Sequence, residues 1–509
     1  MTPDTPPNGT VRSWLDLRAN TQGEVVSHIF PGAPSLTWGA LRDGAVQIAA
    51  RLSGMGLTKG DSVALMLPNS RQGILCLFGA FYGGYRTAVI NLVAGPEAMG
   101  YALSHSDAAV VLVGAAQGDL LTAATAAHDI TARTVTVGDD IAWPDGTPLG
   151  ALPDLAPHDH ALLMYTSGTT GRPKGVLHSH ASLLAGGWTV ALAHRLSDAD
   201  RALCVLPIYH INGLCVTIIG PLIAGGSVVV CEKFSASQFW VSCATHEITW
   251  FSVVPTIISH LLHGANDPDA ATRARIRFGR SASSALAVET QSAFETRFGI
   301  PIVETMGLTE TAAQILSNPL PPGLRKIGSP GIAFGNAVAI LARDLTPLPA
   351  GIEGEIAISG PNVMLEYYKN PEATAGTFTA DGWLRTGDLG RIDSDGYVFV
   401  TGRLKELIIK GGENIAPREV DEALYCHPDV VEAAAFARPC ASYGERVEAA
   451  VKLREGATVG AGDLIALCTQ KLGKFKCPDV VHILEDLPKG PSGKIQRLRL
   501  AQMTAPMPA

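Results

Sequence analysis

Residues 165–176 read YTSGTTGRPKGV and begin at the end of an apolar run, LLMY, that predicts a strand. Within the ten residues that start at Thr166 there are three glycines, four hydroxyl side chains and one lysine. Glycines let backbone N–H groups approach phosphate oxygens, hydroxyls add short hydrogen bonds, and a lysine supplies a mobile positive charge. This composition predicts a loop that binds the phosphates of a nucleotide.

Two other interpretations of the loop are weaker. The Walker A pattern G-x-x-x-x-G-K-[ST] does not fit, because Lys174 lies between Pro173 and Gly175, so a kinase or P-loop NTPase is not favoured. A surface turn without function is the other alternative, and the density of phosphate-binding groups after a strand argues against it. The candidate phosphate-binding residues are Thr166, Ser167, Gly168, Thr169, Thr170, Gly171 and Lys174.

The loop resembles the signature of the adenylate-forming superfamily, which comprises acyl-CoA synthetases, peptide-synthetase adenylation domains and luciferases. The resemblance extends over about residues 30–500 of the chain. It implies a large N-terminal body and a small, mobile C-terminal lobe that rotates between two half-reactions. It also implies ATP with Mg²⁺, and coenzyme A as a co-substrate.

Further motifs follow in the order that this resemblance implies. In ETMGLTETA, Thr309 matches the residue that contacts the α-phosphate, and Glu310 matches the Mg²⁺ ligand. A carboxylate suits that role because Mg²⁺ prefers oxygen ligands. In WLRTGDLG, Asp388 matches the acid that accepts hydrogen bonds from both ribose hydroxyls, a task for a two-oxygen acceptor.

The last motifs lie in the C-terminal fifth of the chain. In GRLKELIIKGGENI, Arg403 matches a second nucleotide contact and Lys405 matches the hinge residue of the superfamily. The tandem Gly411 and Gly412 would let this loop pack against the pantetheine arm of CoA. Lys494, in LPKGPSGKIQR, matches the catalytic lysine, whose ammonium would stabilise charge as the adenylate forms.

Three features concern the binding of adenine and of the acid substrate. His210, in LPIYHINGL, matches the histidine that lines the acyl pocket of acyl-CoA synthetases. Met306 stands where the superfamily usually has a tyrosine stacked on adenine; its thioether is polarisable but offers no flat π surface. The segment SASSAL at 281–286 stands where the superfamily more commonly has a glycine-rich segment that borders adenine and the acyl carboxylate. Its hydroxyls indicate a polar substrate. Arg280, Ser283 and Ser284, with His210, are the candidate partners of a second polar group on the acid.

Strand and helix patterns alternate along most of the chain, which favours parallel α/β layers continuing to about residue 400. The clearest early segments are a helix at 38–52, a strand at 62–67, a helix at 72–82, and strands at 87–91 and 108–113. After residue 403 the pattern restarts, with helices at 418–425 and 463–472 and strands at 430–437, 447–453 and 480–484. We therefore predict an α/β protein with two domains, 1–403 and 404–509, and a hinge near 403–405.

Composition narrows the class further. The 509 residues carry a net charge of −8, with 47% hydrophobic and 17% charged residues, as in a globular enzyme. The sequence has no run of lysine and arginine, so we do not expect nucleic acid as a partner. Nine scattered cysteines without a CxxC pair favour free thiols, and the N-terminal stretch lacks a signal-peptide pattern, so we expect a cytoplasmic protein.

Gly and Pro interrupt the apolar window 214–231, which predicts a buried strand and turn rather than a membrane span. Dimers are common among soluble enzymes, which leaves a homodimer open.

Together the motifs predict an AMP-forming acid–CoA ligase. The substrate carboxylate would attack the α-phosphorus of ATP, and the CoA thiol would then attack the acyl-adenylate. RSASSAL with the stretch from ETMGLTETA onward resembles a small-acid branch that includes oxalate-CoA and sulfoacetate-CoA ligases. Ala313 stands where a histidine is expected in the oxalate enzymes, so sulfoacetate comes first among short polar or dianionic acids.

Other functions stay open as alternatives. Oxalate, or another small or medium-chain carboxylate, is the first. An enzyme that loads an amino acid onto a carrier protein is the second, although no aspartate for the α-amine stands near PIYHING. A catalytically inactive relative is the third, although Lys494, Glu310 and Asp388 are all present.

Overall fold

The computed structural model describes residues 4–166, 172–490 and 495–504. The first part of the described chain builds helices and strands in alternation. These are α1 Val11–Gln22, β1 Val26–Phe30, β2 Ala33–Thr37, α2 Trp38–Gly54, β3 Ser62–Met66, α3 Arg71–Gly83, β4 Arg86–Val89, α4 Pro96–His105, β5 Ala108–Gly114, a 3₁₀ turn Ala115–Gln117, α5 Gly118–Ala127, β6 Arg133–Val137, β7 His160–Thr166, β8 Lys174–Ser179 and α6 His180–Ala193. The segments predicted here between residues 38 and 113 are confirmed, with ends shifted by at most two residues.

The next part carries a second set of parallel strands. Its elements are β9 Arg201–Cys204, a π-helix Asn212–Ile219, α7 Gly220–Ala224, β10 Ser227–Val230, α8 Phe239–Thr245, β11 Trp250–Val253, α9 Pro255–His263, α10 Ala270–Arg275, β12 Phe278–Ser281, α11 Val288–Phe298, β13 Ile302–Leu308, a 3₁₀ turn Thr309–Thr311, β14 Ala313–Ser317 and β15 Ile332–Ala333.

The remaining elements are β16 Ala337–Leu341, β17 Gly354–Ser359, β18 Glu366–Tyr367, α12 Pro371–Thr377, β19 Leu384–Ile392, β20 Val398–Arg403, β21 Ile408–Lys410, β22 Glu413–Ile415, α13 Pro417–Tyr425, β23 Val430–Cys440, β24 Gly444–Leu453, α14 Ala461–Lys476, β25 Val480–Ile483 and α15 Arg497–Met503. Apart from β18, which pairs with β8, these remaining strands form two further sheets.

Two large mixed sheets form the N-terminal body. One has the strand order β18-β8-β7-β4-β3-β5-β6, in which β7, β4, β3, β5 and β6 are parallel. At one edge β8 is antiparallel to β7, and β18 is antiparallel to β8. The other has the order β15-β14-β13-β12-β11-β9-β10-β1-β2, with six parallel strands at its centre. A large apolar core that includes Trp38, Phe78, Trp188 and Trp250 joins residues of both sheets and the helices α2, α3 and α6. The predicted layered α/β class is therefore confirmed.

The prediction of continued parallel alternation to about residue 400 is wrong for residues 337–403. These residues form a four-stranded antiparallel sheet of order β16-β17-β19-β20. The connections from β16 to β17 and from β19 to β20 contain no helix, whereas parallel neighbours need a crossover that is usually a helix. The connection from β17 to β19 contains β18 and α12, but its two strands also pair antiparallel.

The prediction for residues 214–231 is also wrong in part. The π-helix Asn212–Ile219 and α7 occupy most of this window, and the strand β10 follows at Ser227–Val230. A fully apolar run has no polar side to reveal its period, so a buried helix and a buried strand look alike in sequence. None of the helices in the described ranges has the length and hydropathy that a membrane crossing requires.

The C-terminal elements build a separate small sheet. Strands β22, β21, β24 and β23 pair in that order, β25 adds to β24, and α13 and α14 pack on one face. The four-stranded sheet ends at Arg403, and the next strand begins at Ile408 in this other sheet. Lys405 lies between them in an exposed turn. The domain boundary at 403–405 and the hinge role of Lys405 stay predictions.

The nine cysteines are unpaired, as predicted, and six of them are buried. Burial raises the pKa of the thiols of Cys76 and Cys204 to about 12, so these side chains are neutral packing groups at neutral pH.

Gly307 sets the spacing between β13 and β14, and replacing it tests how strictly the fold fixes this turn. A Cβ at residue 307 would lie 1.5 Å from the carbonyl oxygen of Ala313 on the partner strand. We expect Gly307→Ala to lower the free energy of unfolding by about 3 kcal/mol, because a packed backbone cannot move aside freely. Thermal and urea unfolding measure the change.

Gly376→Ala is the matched control. Gly376 lies in α12 with open space around its Cβ position, so alanine should leave stability unchanged or raise it by up to about 1 kcal/mol. Equal melting temperatures for Gly307→Ala and the wild type would contradict the tight packing of this hairpin.

Candidate active site

The predicted phosphate loop connects two antiparallel strands. Thr166, the last residue of β7, pairs with Lys174, the first residue of β8, so both lie at the base of the loop. Ser167, Gly168, Thr169, Thr170 and Gly171 lie outside the described residues. The hydroxyl of Tyr165 lies 3.0 Å from Nδ1 of His105, and burial raises the pKa of this phenol. The strand end that carries the loop is therefore anchored to α4.

Lys174 and Glu310 both contact the same tyrosine, Tyr367. Nζ of Lys174 lies 4.4 Å from the ring centroid of Tyr367, and the Tyr367 hydroxyl donates a 2.7 Å hydrogen bond to Oε1 of Glu310. Tyr367 belongs to β18, which pairs with β8 and so lies beside Lys174. The sequence prediction included the lysine and the glutamate but missed this tyrosine, because only strand pairing brings it to them.

The turn Thr309–Thr311 is fixed from several directions. His178, in β8, lies with Nε2 2.7 Å from the carbonyl oxygen of Thr309 and with Nδ1 3.1 Å from the hydroxyl of Ser182. Burial lowers the pKa of His178 to about 4, so the ring is neutral and Nε2 is the nitrogen that donates to the carbonyl. Ala312 and Ala313 follow with φ of 45° and 82°, a left-handed pair that returns the chain into β14. His178 was also missed from sequence.

Asp388 and Arg403 form an ion pair across neighbouring strands. They are direct partners in the register of β19 and β20, and Nε of Arg403 lies 2.5 Å from Oδ1 of Asp388. Burial opposes the charge of the guanidinium, but the carboxylate of Asp388 raises the pKa of Arg403, so the guanidinium stays charged. Two residues predicted separately as nucleotide contacts are thus held as a unit.

A cavity of about 240 Å³ lies between the body and the C-terminal elements, and we call it the interlobe cavity. Five predicted site residues line it: Ser283, Ser284, Met306, Asp388 and Arg403. Helices α13 and α15 close the opposite side, where Arg418 and Arg497 contribute to the wall. The structure therefore brings the predicted base and ribose residues to one space.

Arg280 lies behind the wall of this cavity rather than on it. Its side chain is 1% exposed and donates to three neutral groups: Oδ1 of Asn212 at 2.8 Å, Oγ of Ser252 at 3.1 Å and Oε1 of Gln314 at 3.4 Å. No carboxylate in the described part of the chain forms a salt bridge with it. Burial lowers the pKa of Arg280 to about 9, which leaves it charged at neutral pH. Asn212, a third residue missed from sequence, donates to Oγ of Ser283 at 3.2 Å.

The other predicted residues lie apart from the interlobe cavity. His210 is partly buried just before the π-helix, with its ring 5.0 Å from that of Tyr209. Gly411 and Gly412 form the exposed two-residue turn between β21 and β22, and their φ values of 59° and 87° explain why glycine is needed there. Lys494 lies outside the described residues.

One carboxylate oxygen of Glu310 is suited to bind a magnesium ion. Oε1 of Glu310 accepts the Tyr367 hydrogen bond, and Oε2 has no hydrogen bond to a described residue. No group of three or more His, Cys, Asp or Glu that could hold a metal occurs in the described ranges. A Mg²⁺ that arrives with a nucleotide needs only one or two carboxylates, since phosphates and water complete its shell.

Comparison with known proteins agrees with this geometry. Residues 15–368 match the AMP-binding enzyme family, and residues 419–494 match the AMP-binding enzyme C-terminal domain. The structure is similar to that of ATP-bound MatB from Rhodopseudomonas palustris, with a TM-score of 0.90, 30% identity, and coverage of 98% of this chain and 99% of that one. The chain belongs to the AMP-binding enzyme family.

Similar sequences narrow the class within this family. A sulfoacetate–CoA ligase from Cupriavidus necator is 48% identical over 476 residues, which cover 92% of each chain. An oxalate–CoA ligase from Arabidopsis thaliana is 36% identical over 483 residues, which cover 92% of this chain and 94% of that one. The protein is an AMP-forming acid–CoA ligase that uses ATP and CoA. The predicted enzyme class and the resemblance to the small-acid branch are confirmed.

Replacing Asp388 tests its assignment to the ribose. Asp388→Asn removes a charged acceptor and the partner of Arg403, so we expect the Kd for AMP to rise about 10- to 100-fold, as for the loss of a hydrogen bond to a charged group. Isothermal titration calorimetry with AMP measures this.

Asp393→Asn is the control for this prediction. Asp393 follows the same strand, β19, and forms a salt bridge with Lys326 away from the cavity, so its variant should bind AMP as the wild type does. Equal affinities for Asp388→Asn and Asp393→Asn would remove Asp388 from the nucleotide site.

Proposed function

We propose that the protein activates a short carboxylic acid that carries a second anionic group, with sulfoacetate as the first candidate. The substrate carboxylate attacks the α-phosphorus of ATP to give an acyl-adenylate and pyrophosphate, and the CoA thiol then displaces AMP. Similarity to the sulfoacetate–CoA ligase of Cupriavidus necator supports this choice of acid.

The observation that carries the proposal is the orientation of Asn212. A guanidinium has only donors, so Arg280 and the Ser252 hydroxyl hold the amide oxygen of Asn212 toward themselves. The amide nitrogen therefore faces Ser283 and donates to its hydroxyl oxygen. The Ser283 proton is then available to an acceptor in the interlobe cavity, and an anionic group is the best acceptor for it.

The charge of Arg280 strengthens this chain of donors. A buried hydrogen bond to a cation polarises the next bond, so the amide of Asn212 and the hydroxyl of Ser283 become better donors. A neutral or purely aliphatic acyl group would offer the Ser283 hydroxyl no charged acceptor, so it would gain less from this chain of donors. The proposal assigns Ser284 to the same polar end, while His210, which lies outside the interlobe cavity, keeps the acyl-pocket role that its motif implies.

The remaining roles rest on the motifs. Lys174 binds the outer phosphates, Thr309 contacts the α-phosphate, and Lys494 stabilises charge on the α-phosphate and the acid. Mg²⁺ bound to Glu310 and the phosphates would neutralise further charge. Asp388 accepts hydrogen bonds from the ribose hydroxyls, Arg403 makes a second contact with the nucleotide, and Met306 covers the adenine. Gly411 and Gly412 pack against the pantetheine arm after the lobe turns about Lys405. Positioning and charge neutralisation are what phosphoryl chemistry mainly requires of a protein.

An acid panel tests the substrate. We expect kcat/KM for sulfoacetate to exceed that for acetate by about 10- to 100-fold, the range for one charge-assisted hydrogen bond. Sulfoacetate, oxalate, malonate, acetate and hexanoate are compared by AMP release and by mass spectrometry of the CoA thioester. The oxalate–CoA ligase similarity makes oxalate the second candidate. Preference for hexanoate over every dianion would contradict the proposal.

Asn212→Asp, run on the same panel, tests the assigned donor chain. The variant keeps the shape but replaces the amide donor with an acceptor, so Ser283 must donate to residue 212 instead of to the acid. Activity with sulfoacetate should fall at least tenfold more than activity with acetate. Asn266→Asp, at an exposed site, makes the same chemical change away from this network and should leave the panel unaltered.

Lys494→Ala tests the catalytic lysine. We expect adenylate formation, followed as acid-dependent pyrophosphate release, to fall by at least about 100-fold, because a charge aimed at the reacting centre is worth about 3 kcal/mol or more. The melting temperature should not change. Lys471→Ala, an exposed lysine of α14, is the control. Wild-type pyrophosphate release by Lys494→Ala would remove this residue from the mechanism.

A further inference from the structure

Tyr367 occupies a position that two neighbouring strands define tightly. The short strand β18 pairs with β8 so that Tyr367 lies opposite Val176. Backbone hydrogen bonds on both sides, from Leu365 to Leu177 and from Tyr368 to Gly175, fix the strand at 2.8 and 2.7 Å. The side chain is 6% exposed and packs in a cluster with Val176, Met364 and Leu384. Its ring and hydroxyl therefore have little freedom.

Two charged groups of the site contact this fixed ring. The ammonium of Lys174 lies over its face at 4.4 Å from the centroid, within the range of a cation–π interaction. The hydroxyl donates to Oε1 of Glu310 at 2.7 Å, a charge-assisted hydrogen bond.

We propose that Tyr367 is a positioning residue that holds the phosphate-binding lysine and the metal-binding carboxylate in register with each other. The proposal rests on the functions proposed above for Lys174 and Glu310. A free lysine or glutamate side chain loses about 1.5–2 kcal/mol of conformational entropy when it is ordered. A fixed ring between them lowers this cost before the nucleotide arrives, and the bond to Oε1 leaves Oε2 of Glu310 for the metal.

The next residue, Tyr368, provides a matched comparison. Its side chain points to the opposite side of β18, where the hydroxyl donates to Asp107 at 2.8 Å and the ring lies 4.4 Å from the guanidinium of Arg86. It therefore has the same two kinds of contact as Tyr367, a cation on its face and a carboxylate on its hydroxyl, at a place without a role in the proposed chemistry.

Nucleotide binding without turnover separates the two contacts of Tyr367. The full-length wild type, Tyr367→Phe, Tyr367→Leu and Tyr368→Phe are titrated with α,β-methylene-ATP by calorimetry, with EDTA and then over a range of Mg²⁺ concentrations. In Tyr367→Phe the ring remains, so affinity in EDTA should stay within about twofold of the wild type. The gain in affinity on adding Mg²⁺ should fall about tenfold, as for the loss of one hydrogen bond to a charged group.

Tyr367→Leu removes the ring as well, and it should also lower affinity in EDTA by about threefold or more. Tyr368→Phe should match the wild type in both conditions. A normal Mg²⁺ gain in Tyr367→Phe would overturn the inference, whether or not Tyr367→Leu folds. A wild type whose nucleotide affinity does not respond to Mg²⁺ would instead refute the proposed role of Glu310, so the two failures are distinguishable.

Discussion

Strand β8 is the constraint on which the site depends, because it has a different antiparallel partner on each side. Alternate residues of a strand face the same way. Lys174, Val176 and His178 share one face of β8, and each contacts the site: Lys174 lies over the Tyr367 ring, Val176 packs beside it, and His178 binds the Thr309 carbonyl. Pairing with β7 sets the base of the phosphate loop, and pairing with β18 sets Tyr367. A one-residue slip would turn all three side chains away.

The parts of the fold that sequence predicted are those with a local signal. Helix α2 and strands β3 and β5 follow from the spacing of apolar residues such as Trp38, Leu41 and Val63, which needs no knowledge of distant segments. The antiparallel sheet of residues 337–403 was not predicted, because strand direction depends on which strands pair. The π-helix Asn212–Ile219 was not predicted, because every one of its residues is buried and no polar face marks its period.

The candidate site likewise has residues that could be predicted from sequence and residues that could not. Glu310, Asp388 and Arg403 stand in motifs and could be selected from sequence, but their contacts could not. Asp388 and Arg403 are fifteen residues apart and become an ion pair only through the register of β19 and β20. Tyr367 and His178 stand in no motif with an assigned chemistry, and Asn212 stands in LPIYHINGL, where the motif assigned a role to His210 alone. Each acquires its role from a partner that is distant in sequence. The partner is 57 residues away for Tyr367 and 131 residues away for His178, and Asn212 has partners 68 and 71 residues away.

Arg280 has a consequence for how the enzyme responds to its surroundings. Its guanidinium loses its water when the chain folds and is then held by amide and hydroxyl groups, with no carboxylate partner among the described residues. Dissolved salt screens surface charges within about 10 Å at 0.1 M, but it screens a buried charge far less. An anion drawn by surface lysines is lost as ionic strength rises. An anion recognised through the Arg280 network would keep its advantage over neutral competitors in a salty medium.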